Sequence, residues 1–431
     1  MQNLLLISID SLRADTCGFL NDSGVTPYLS ELAKEGTVFE NAIAPGPRTP
    51  SSLPPMFTGE FYRHEYDSVI GRRTAIDFHL STHQTIPEQL SDIGYTTVGF
   101  TANPWTAKDT GFNKGFDEFY ELNPNSNNNI ETLVDSPVIR GTNTLLEAFG
   151  RENMFGWQGK REWFTHWTVF LDQIKDKISE LAEPYFVWIF LMDSHQPYIV
   201  PSTLQNETNW FKMYYSLLRF WRDRDTELPP HAIKWMRQSY RDAARSADEF
   251  VRRLYDSIRG SNINLVVHSD HGESHGEHGT YGHEYRLYEE NIRIPLLIHG
   301  DTYTERIVDP VSLTSLPSII ESTCSNELTT PESFAKSFVY SGAESRSIST
   351  LRGNMLDYSP HDFAVRGKRY KYISAKDDEE LYDLKVDPDE TTDISGKYTE
   401  ITKNLRQLAA ARMMKPIEKK KIVSSINKSN L

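Results

Sequence analysis

Cysteine is almost missing from this chain: Cys17 and Cys324 are the two among 431 residues. A disulfide framework is thereby excluded. Neither residue lies in a Cys-x-x-Cys pair or a Cys/His cluster, so both read as inert packing residues, with one isolated bridge as the alternative. Long apolar runs are missing too. No stretch reaches the ~18 apolar residues that a membrane span needs, so no span is expected. The N-terminal run Leu4–Ile9 is too short for a signal sequence and lacks its basic start and small-residue cleavage site. It reads as a buried strand, and the intact chain is expected to be cytoplasmic. A surplus of positive charge is the third absence. Lys and Arg number 46 against 60 Asp and Glu, a formal net charge of -14. Nucleic acid is therefore not an expected partner. An anionic substrate would have to be drawn by a metal ion and a few placed cations. Internal repeats are absent as well.

What is present suffices for a large core: 38% of residues are hydrophobic and 12% aromatic. The length suits one large domain with a smaller one, or two ordinary domains. Short apolar runs at Leu4–Ile9, Thr96–Thr101, Tyr185–Met192, Asn264–His268 and Ile294–Ile298 have the character of buried parallel strands. Helical patterns separate them. Thr26–Glu35 has Pro27 at a first helical position and Gly36 as its stop. Ile86–Ile93 ends at Gly94, and about Trp235–Ile258 carries Ala243, Ala247, Phe250, Val251 and Leu254 on one face. Alternating strands and helices predict an α/β fold with a doubly wound, mostly parallel sheet. A catalytic domain over 1–329 is expected, with an insertion at about 123–180 over the active-site rim. A smaller C-terminal α+β subdomain is expected over 330–414, where Gly367-Lys368-Arg369 turns a hairpin, and a basic tail over 415–431.

In open α/β sheets, ligands bind beyond the carboxyl ends of the strands. Asp10 ends the first apolar run, Asp193 and His195 follow the third, and Asp270 and His271 follow the fourth. Buried charges at three strand ends are costly unless paired or bound to metal, which makes Asp10, Asp270 and His271 candidate metal ligands. Asp10 alone could instead cap the following segment. Asp270 opens a run rich in Gly, His and Glu, through Gly279 to His283. Its Glu273, His275, Glu277 and His278 read as ordinary loop residues. A third feature, Arg48-Thr49-Pro50-Ser51-Ser52-Leu53-Pro54-Pro55-Met56-Phe57-Thr58-Gly59, reads in isolation as a Pro/Ser loop leading into a short helix.

Taken in order, these segments resemble the sulfatase family of the alkaline-phosphatase superfamily. The resemblance runs over most of the chain. It is carried by Ile7-Ser8-Ile9-Asp10-Ser11-Leu12-Arg13, Thr26-Pro27-Tyr28-Leu29, Met56-Phe57-Thr58-Gly59, Lys114-Gly115-Phe116-Asp117 and Asp193-Ser194-His195-Gln196-Pro197-Tyr198. Ser269-Asp270-His271-Gly272-Glu273 and Tyr288-Glu289-Glu290 through Arg293-Ile294-Pro295-Leu296 form its most specific block. Ala364-Val365-Arg366 and Glu380-Leu381-Tyr382-Asp383-Leu384 extend it into the C-terminal region. The resemblance puts Asp10, Asp270 and His271 on metal-ligand positions. Ser11 stands where many relatives have a second aspartate. It implies one or two divalent metal ions, zinc or manganese favoured for this donor set, with calcium or magnesium as alternatives.

The nucleophile is where this chain departs from the family. Sulfatases usually carry Cys or Ser in a Cys/Ser-x-Pro-x-Arg motif, oxidised to formylglycine. Counting back from Thr58-Gly59 puts Thr49 at that position and Leu53 in place of the arginine. Formylglycine chemistry is not expected. The same segment is similar to that of phosphoethanolamine transferases, where a metal-bound threonine attacks, and this adds Thr49 as nucleophile and fourth ligand. By the same resemblance His195 and His283 bind ester oxygens or protonate the leaving group. Arg48, Asn103 and Asp193 are candidates for the substrate pocket. The expected function is metal-dependent hydrolysis of a sulfate or phosphate ester, on a small molecule or carbohydrate. A phospho-group transferase and a non-catalytic binding protein that keeps the fold are the alternatives.

Overall fold

The computed structural model describes residues 1–62, 71–122, 166–223, 226–258, 262–283, 286–300, 304–324, 330–342, 361–375 and 378–412. Most of the expected rim insertion (123–165) and the basic tail (415–431) lie outside these residues.

An eight-stranded sheet forms the centre. Its strands in chain order are β1 (Asn3–Ile9), β2 (Thr37–Phe39), β3 (Thr96–Thr101), β4 (Glu118–Glu121), β5 (Tyr185–Leu191), β6 (Ile263–Ser269), β7 (Leu296–His299) and β8 (Arg306–Ile307). The spatial order is β8-β2-β7-β6-β1-β5-β3-β4. From β6 to β4 all pairs are parallel. Strand β1 alternates between two cores: Leu4 and Leu6 pack on one face, Leu5, Ile7 and Ile9 on the other. Both faces are covered, which is why its sequence is continuously apolar rather than alternating. The doubly wound, mostly parallel sheet expected from the sequence is what forms.

One strand differs from expectation. The run Ile294–Ile298 does not add a parallel strand. Pro295, which has no N–H to give a ladder, interrupts it. Arg293–Ile294 pairs with a separate small sheet, and Leu296–His299 runs antiparallel to β6.

Helices α1 (Pro27–Leu32), α2 (Thr49–Thr58), α3 (Ile86–Asp92), α4 (Leu171–Ser179), α5 (Trp210–Asp223), α6 (Pro230–Ile258) and α7 (Glu289–Ile292) flank the sheet. Helix α6 puts Ala247, Phe250, Val251 and Leu254 into one core, and burying Phe250 alone contributes about 1.5–3 kcal/mol. Helix α4 places Leu171, Ile174 and Ile178 in that same core. The end of the expected insertion is thus a packed crossover into β5. The C-terminal region is a four-stranded antiparallel sheet, β9 (Phe338–Gly342), β10 (His361–Gly367), β11 (Tyr370–Ala375) and β12 (Glu379–Asp383), with helix α8 (Thr399–Arg412) packed on it. β10 and β11 form the expected hairpin. Cys17 and Cys324 are free and buried, as packing residues should be.

Candidate active site

The parallel strands β1, β3, β5 and β6 all point their carboxyl ends the same way, and the polar residues that follow them converge there. Asp10 follows β1, Asn103 follows β3, His195 follows β5, and Asp270 and His271 follow β6. Among the described residues, the acidic and imidazole groups able to hold a metal ion are Asp10, Asp270 and His271, whose ligand atoms all lie within 4.8 Å of one another. His271 Nε2 is 3.5 Å from Asp10 Oδ1 and 3.4 Å from Asp270 Oδ2. All three side chains are fully buried.

The protonation pattern of this cluster fits a cation. His271 Nδ1 donates to the Gly272 carbonyl at 2.8 Å, which leaves Nε2 as the basic nitrogen aimed at the two carboxylates. Burial, then Asp270, pushes the Asp10 carboxyl up to about 6. Burial pushes Asp270 up to about 7, against the hydrogen bond from Thr49 and two backbone N–H groups. Burial holds His271 below its ordinary value. Asp270 Oδ2 has no hydrogen-bond donor. Two buried carboxylates with an orphaned oxygen and a neutral imidazole are the donor set that a divalent cation would satisfy.

Thr49 is the first residue of α2, and its Oγ1 lies 3.3 Å from His271 Nε2. Helix α2 is entirely buried and contains Pro54 and Pro55. The carbonyl of Pro50, which Pro54 cannot serve, accepts instead from the Tyr62 hydroxyl at 2.8 Å. Gly59, with φ 76°, ends the helix. Ser52 Oγ donates to the Asp270 carbonyl at 2.5 Å and fastens α2 to the Asp270–His271 loop.

Asn103, a candidate for the substrate pocket, lies in the cluster: its Nδ2 donates to Asp10 Oδ2 at 2.8 Å. His195 and His283 also arrive, with ring centroids 4.9 Å apart and His283 4.7 Å from His271. His195 is anchored by Nδ1 on the Gln196 carbonyl at 2.6 Å. Asp193 turns away. Its Oδ1 accepts from Ser246 at 3.0 Å and sits 3.2 Å from His166 Nε2, on the α6 side of the sheet. The carboxylate is spent on that buried network rather than on the pocket. Arg48 is the half-buried residue preceding α2.

Four further residues support the centre. Ser11 has φ 60°, uncommon for a residue with a side chain. That turn aims its N–H at Asp270 Oδ1 (3.2 Å) while its hydroxyl donates to Asp10 Oδ1 (2.9 Å). Ser194 Oγ donates to the Asp10 carbonyl at 2.7 Å. Ser269 Oγ donates to the Ile9 and His271 carbonyls. Glu273, fully buried, takes His283 Nδ1 at 2.9 Å. A serine next to each strand-end acid was the signal available in the sequence. Glu273 carried none, because its partner is ten residues away across a loop.

Comparisons with known proteins show the family and the fold of this chain. A sulfatase from Formosa agariphila is 24% identical over 442 residues, covering 90% of this chain and 82% of the relative. Among solved structures, a 2-O GAG sulfatase superposes with a TM-score of 0.69 at 16% identity, covering 98% of this chain and 94% of that one. The phosphonate monoester hydrolase of Agrobacterium radiobacter superposes with a TM-score of 0.65 at 15% identity, covering 94% of each chain. These structural likenesses establish the shared fold, with its mostly parallel sheet and small antiparallel C-terminal sheet. The sulfatase family model matches residues 2–315, a span that takes in the strand-end acids, α2 and the loop from Asp270 to His283; this chain therefore belongs to the sulfatase family.

Proposed function

We propose that the protein hydrolyses a sulfate or phosphate ester in a metal-dependent reaction, with Thr49 as nucleophile and Asp10, Thr49, Asp270 and His271 as ligands. The observation that carries this reading is the convergence of Asp10, Asp270 and His271 within 4.8 Å, fully buried, with Thr49 Oγ1 at 3.3 Å from His271 Nε2. A bound divalent cation would lower the pKa of the Thr49 hydroxyl and offset charge on the transferring group. Thr49 Oγ1 attacks the phosphorus or sulfur atom as its proton passes to the His195/His283 pair, and the bond to the leaving alcohol oxygen breaks. That oxygen takes a proton from the His195/His283 pair. Water then attacks the Thr49 ester, returning the threonine hydroxyl and releasing inorganic phosphate or sulfate. Asn103 holds Asp10 in place throughout. That Cys17 and Cys324 lie outside α2 supports a mechanism independent of a formylglycine made from cysteine.

Family membership supports a sulfate ester, and the 2-O GAG sulfatase neighbour supports a carbohydrate carrier. Threonine at the nucleophile position and the phosphonate monoester hydrolase neighbour support a phospho-ester. Aryl sulfate, aryl phosphate, phosphodiester and phosphonate substrates, each with zinc, manganese, calcium or magnesium, separate the two. Thr49→Ala is expected to lower kcat by roughly 10³-fold or more on whichever ester is cleaved. Activity unchanged in Thr49→Ala sinks the nucleophile assignment, and a protein that binds no metal and cleaves none of these esters sinks the enzymatic reading.

A further inference from the structure

The C-terminal sheet reaches the Asp270–His271 loop through one buried cation. Lys371 on β11 is fully buried. Its Nζ pairs with Glu289 Oε1 at 3.1 Å and with Glu390 Oε1 at 2.8 Å. Arg366 on β10 adds a contact to Glu289 Oε2 at 3.4 Å, and Glu390 Oε2 accepts the Glu289 N–H at 2.6 Å. Glu289 is therefore gripped by both its side chain and its backbone. Burial alone would raise its carboxyl, but Lys371 and Arg366 outweigh that and hold it below its ordinary range. Lys371 bridges the two carboxyls and Arg366 adds a second cation at Glu289, the partners that buried charges require.

Glu289 opens α7, and α7 is the seat of the metal loop. The carbonyls of Asn291 and Glu290 accept the N–H groups of Gly272 (2.8 Å) and Glu273 (2.9 Å). The approach is so close that a Cβ on Gly272 would stand 2.0 Å from the Glu290 carbonyl oxygen. The Gly272 carbonyl in turn fixes His271 Nδ1. A continuous chain of bonds thus runs from Lys371 through Glu289 and α7 to the imidazole that faces Asp10 and Asp270.

We propose that Lys371 is a positioning residue for the metal centre: by clamping Glu289 it sets α7, and through α7 the geometry of Asp270 and His271. The proposal rests on reading Asp10, Asp270 and His271 as metal ligands. It makes the C-terminal subdomain part of the active-site scaffold.

The test is the affinity of the purified full chain for Zn²⁺ and Mn²⁺, each measured by competition with a chromophoric chelator beside a thermal unfolding scan. Lys371→Met leaves an unbalanced buried acid, so the charge-balanced double variant Lys371→Met with Glu390→Gln is measured with it and carries the test if the single variant does not fold. Leu405→Ala controls for general loosening, because Leu405 packs with Val365, Tyr372 and Leu381, on the face of the sheet opposite Lys371 and Arg366. The Lys371 variants are expected to bind both metals roughly 10–100-fold more weakly, the usual range for lost outer-shell support. Leu405→Ala should keep wild-type affinity despite a lower unfolding temperature. Wild-type affinity in the double variant, or an equal loss in Leu405→Ala, overturns the proposal. A wild-type chain that binds neither metal, or a His271→Ala variant that binds as tightly as wild type, overturns the ligand reading itself and the proposal with it.

Discussion

At the residue scale, the site is built from side chains whose ordinary properties are altered by burial. Asp10 and Asp270 are carboxylates that water cannot reach, and serine and asparagine donors hold them in one orientation. Arg13, just behind them, shows the opposite arrangement. It is buried and bonded to Asp15, Glu277 and the Glu273 carbonyl. Burial alone would raise the Glu277 carboxyl, but Arg13 and His275 outweigh it and hold it at about 2, below its ordinary 4.5. A depressed folded-state pKa stabilises the fold above the ordinary value, and that stabilisation is lost as pH falls through about 2. Glu277→Gln is therefore expected to lower the urea midpoint most at neutral pH, with the gap from wild type closing below 4.5 and vanishing near 2. Midpoints for both proteins across that range check this. A gap that stays constant would mean that Arg13 gains nothing from the charge.

At the element scale, three pieces not adjacent in the chain hold the Asp270–His271 loop. Helix α2 reaches it through Ser52, α7 through two backbone hydrogen bonds, and β1 through Ser11. Gly272 is needed because α7 leaves no room for a side chain, not because of an unusual φ. Gly272→Ala should force the loop off α7 and cost on the order of 1–3 kcal/mol, as overpacking does. Metal affinity should fall in parallel. Chemical denaturation and chelator competition measure the two effects, and retention of both wild-type values would refute the close fit. The element scale also shows where sequence patterns reached their limit. Apolar runs located β1, β3, β5 and β6 to within a residue or two, because strands buried on both faces are continuously apolar. The direction of β7 was not legible, since an apolar run broken by Pro295 looks alike in a parallel or antiparallel partner.

At the scale of the whole molecule, a metal bound only by the folded state would stabilise the entire domain. Saturation at 100 times Kd corresponds to about 2.7 kcal/mol. Scanning calorimetry is expected to show a higher unfolding temperature with zinc or manganese than with chelator, by on the order of a few degrees, and no such gap in His271→Ala. An equal response in both proteins would mean that the ion binds elsewhere. Among the described residues, no helix is long and apolar enough to cross a membrane.

The sequence by itself determined the α/β class, the strand-end acids and the family, because apolar periodicity and ordered motifs are local properties of the chain. Counting back from Thr58-Gly59 pointed to Thr49 as the nucleophile position, and in the fold Thr49 is the first residue of α2. Tertiary structure alone decided which polar residues face the centre. Asp193 and His195 are two positions apart, yet one is bound to Ser246 and His166 while the other meets His283. Neither outcome is coded by spacing, since Asp193 depends on Ser246, 53 residues on, and on the earlier His166, while His195 depends on the distant His283. Lys371 is the same case on a larger scale. In the sequence it is one residue of a hairpin, and only the packing of that hairpin against α7 ties it to the loop that carries Asp270 and His271.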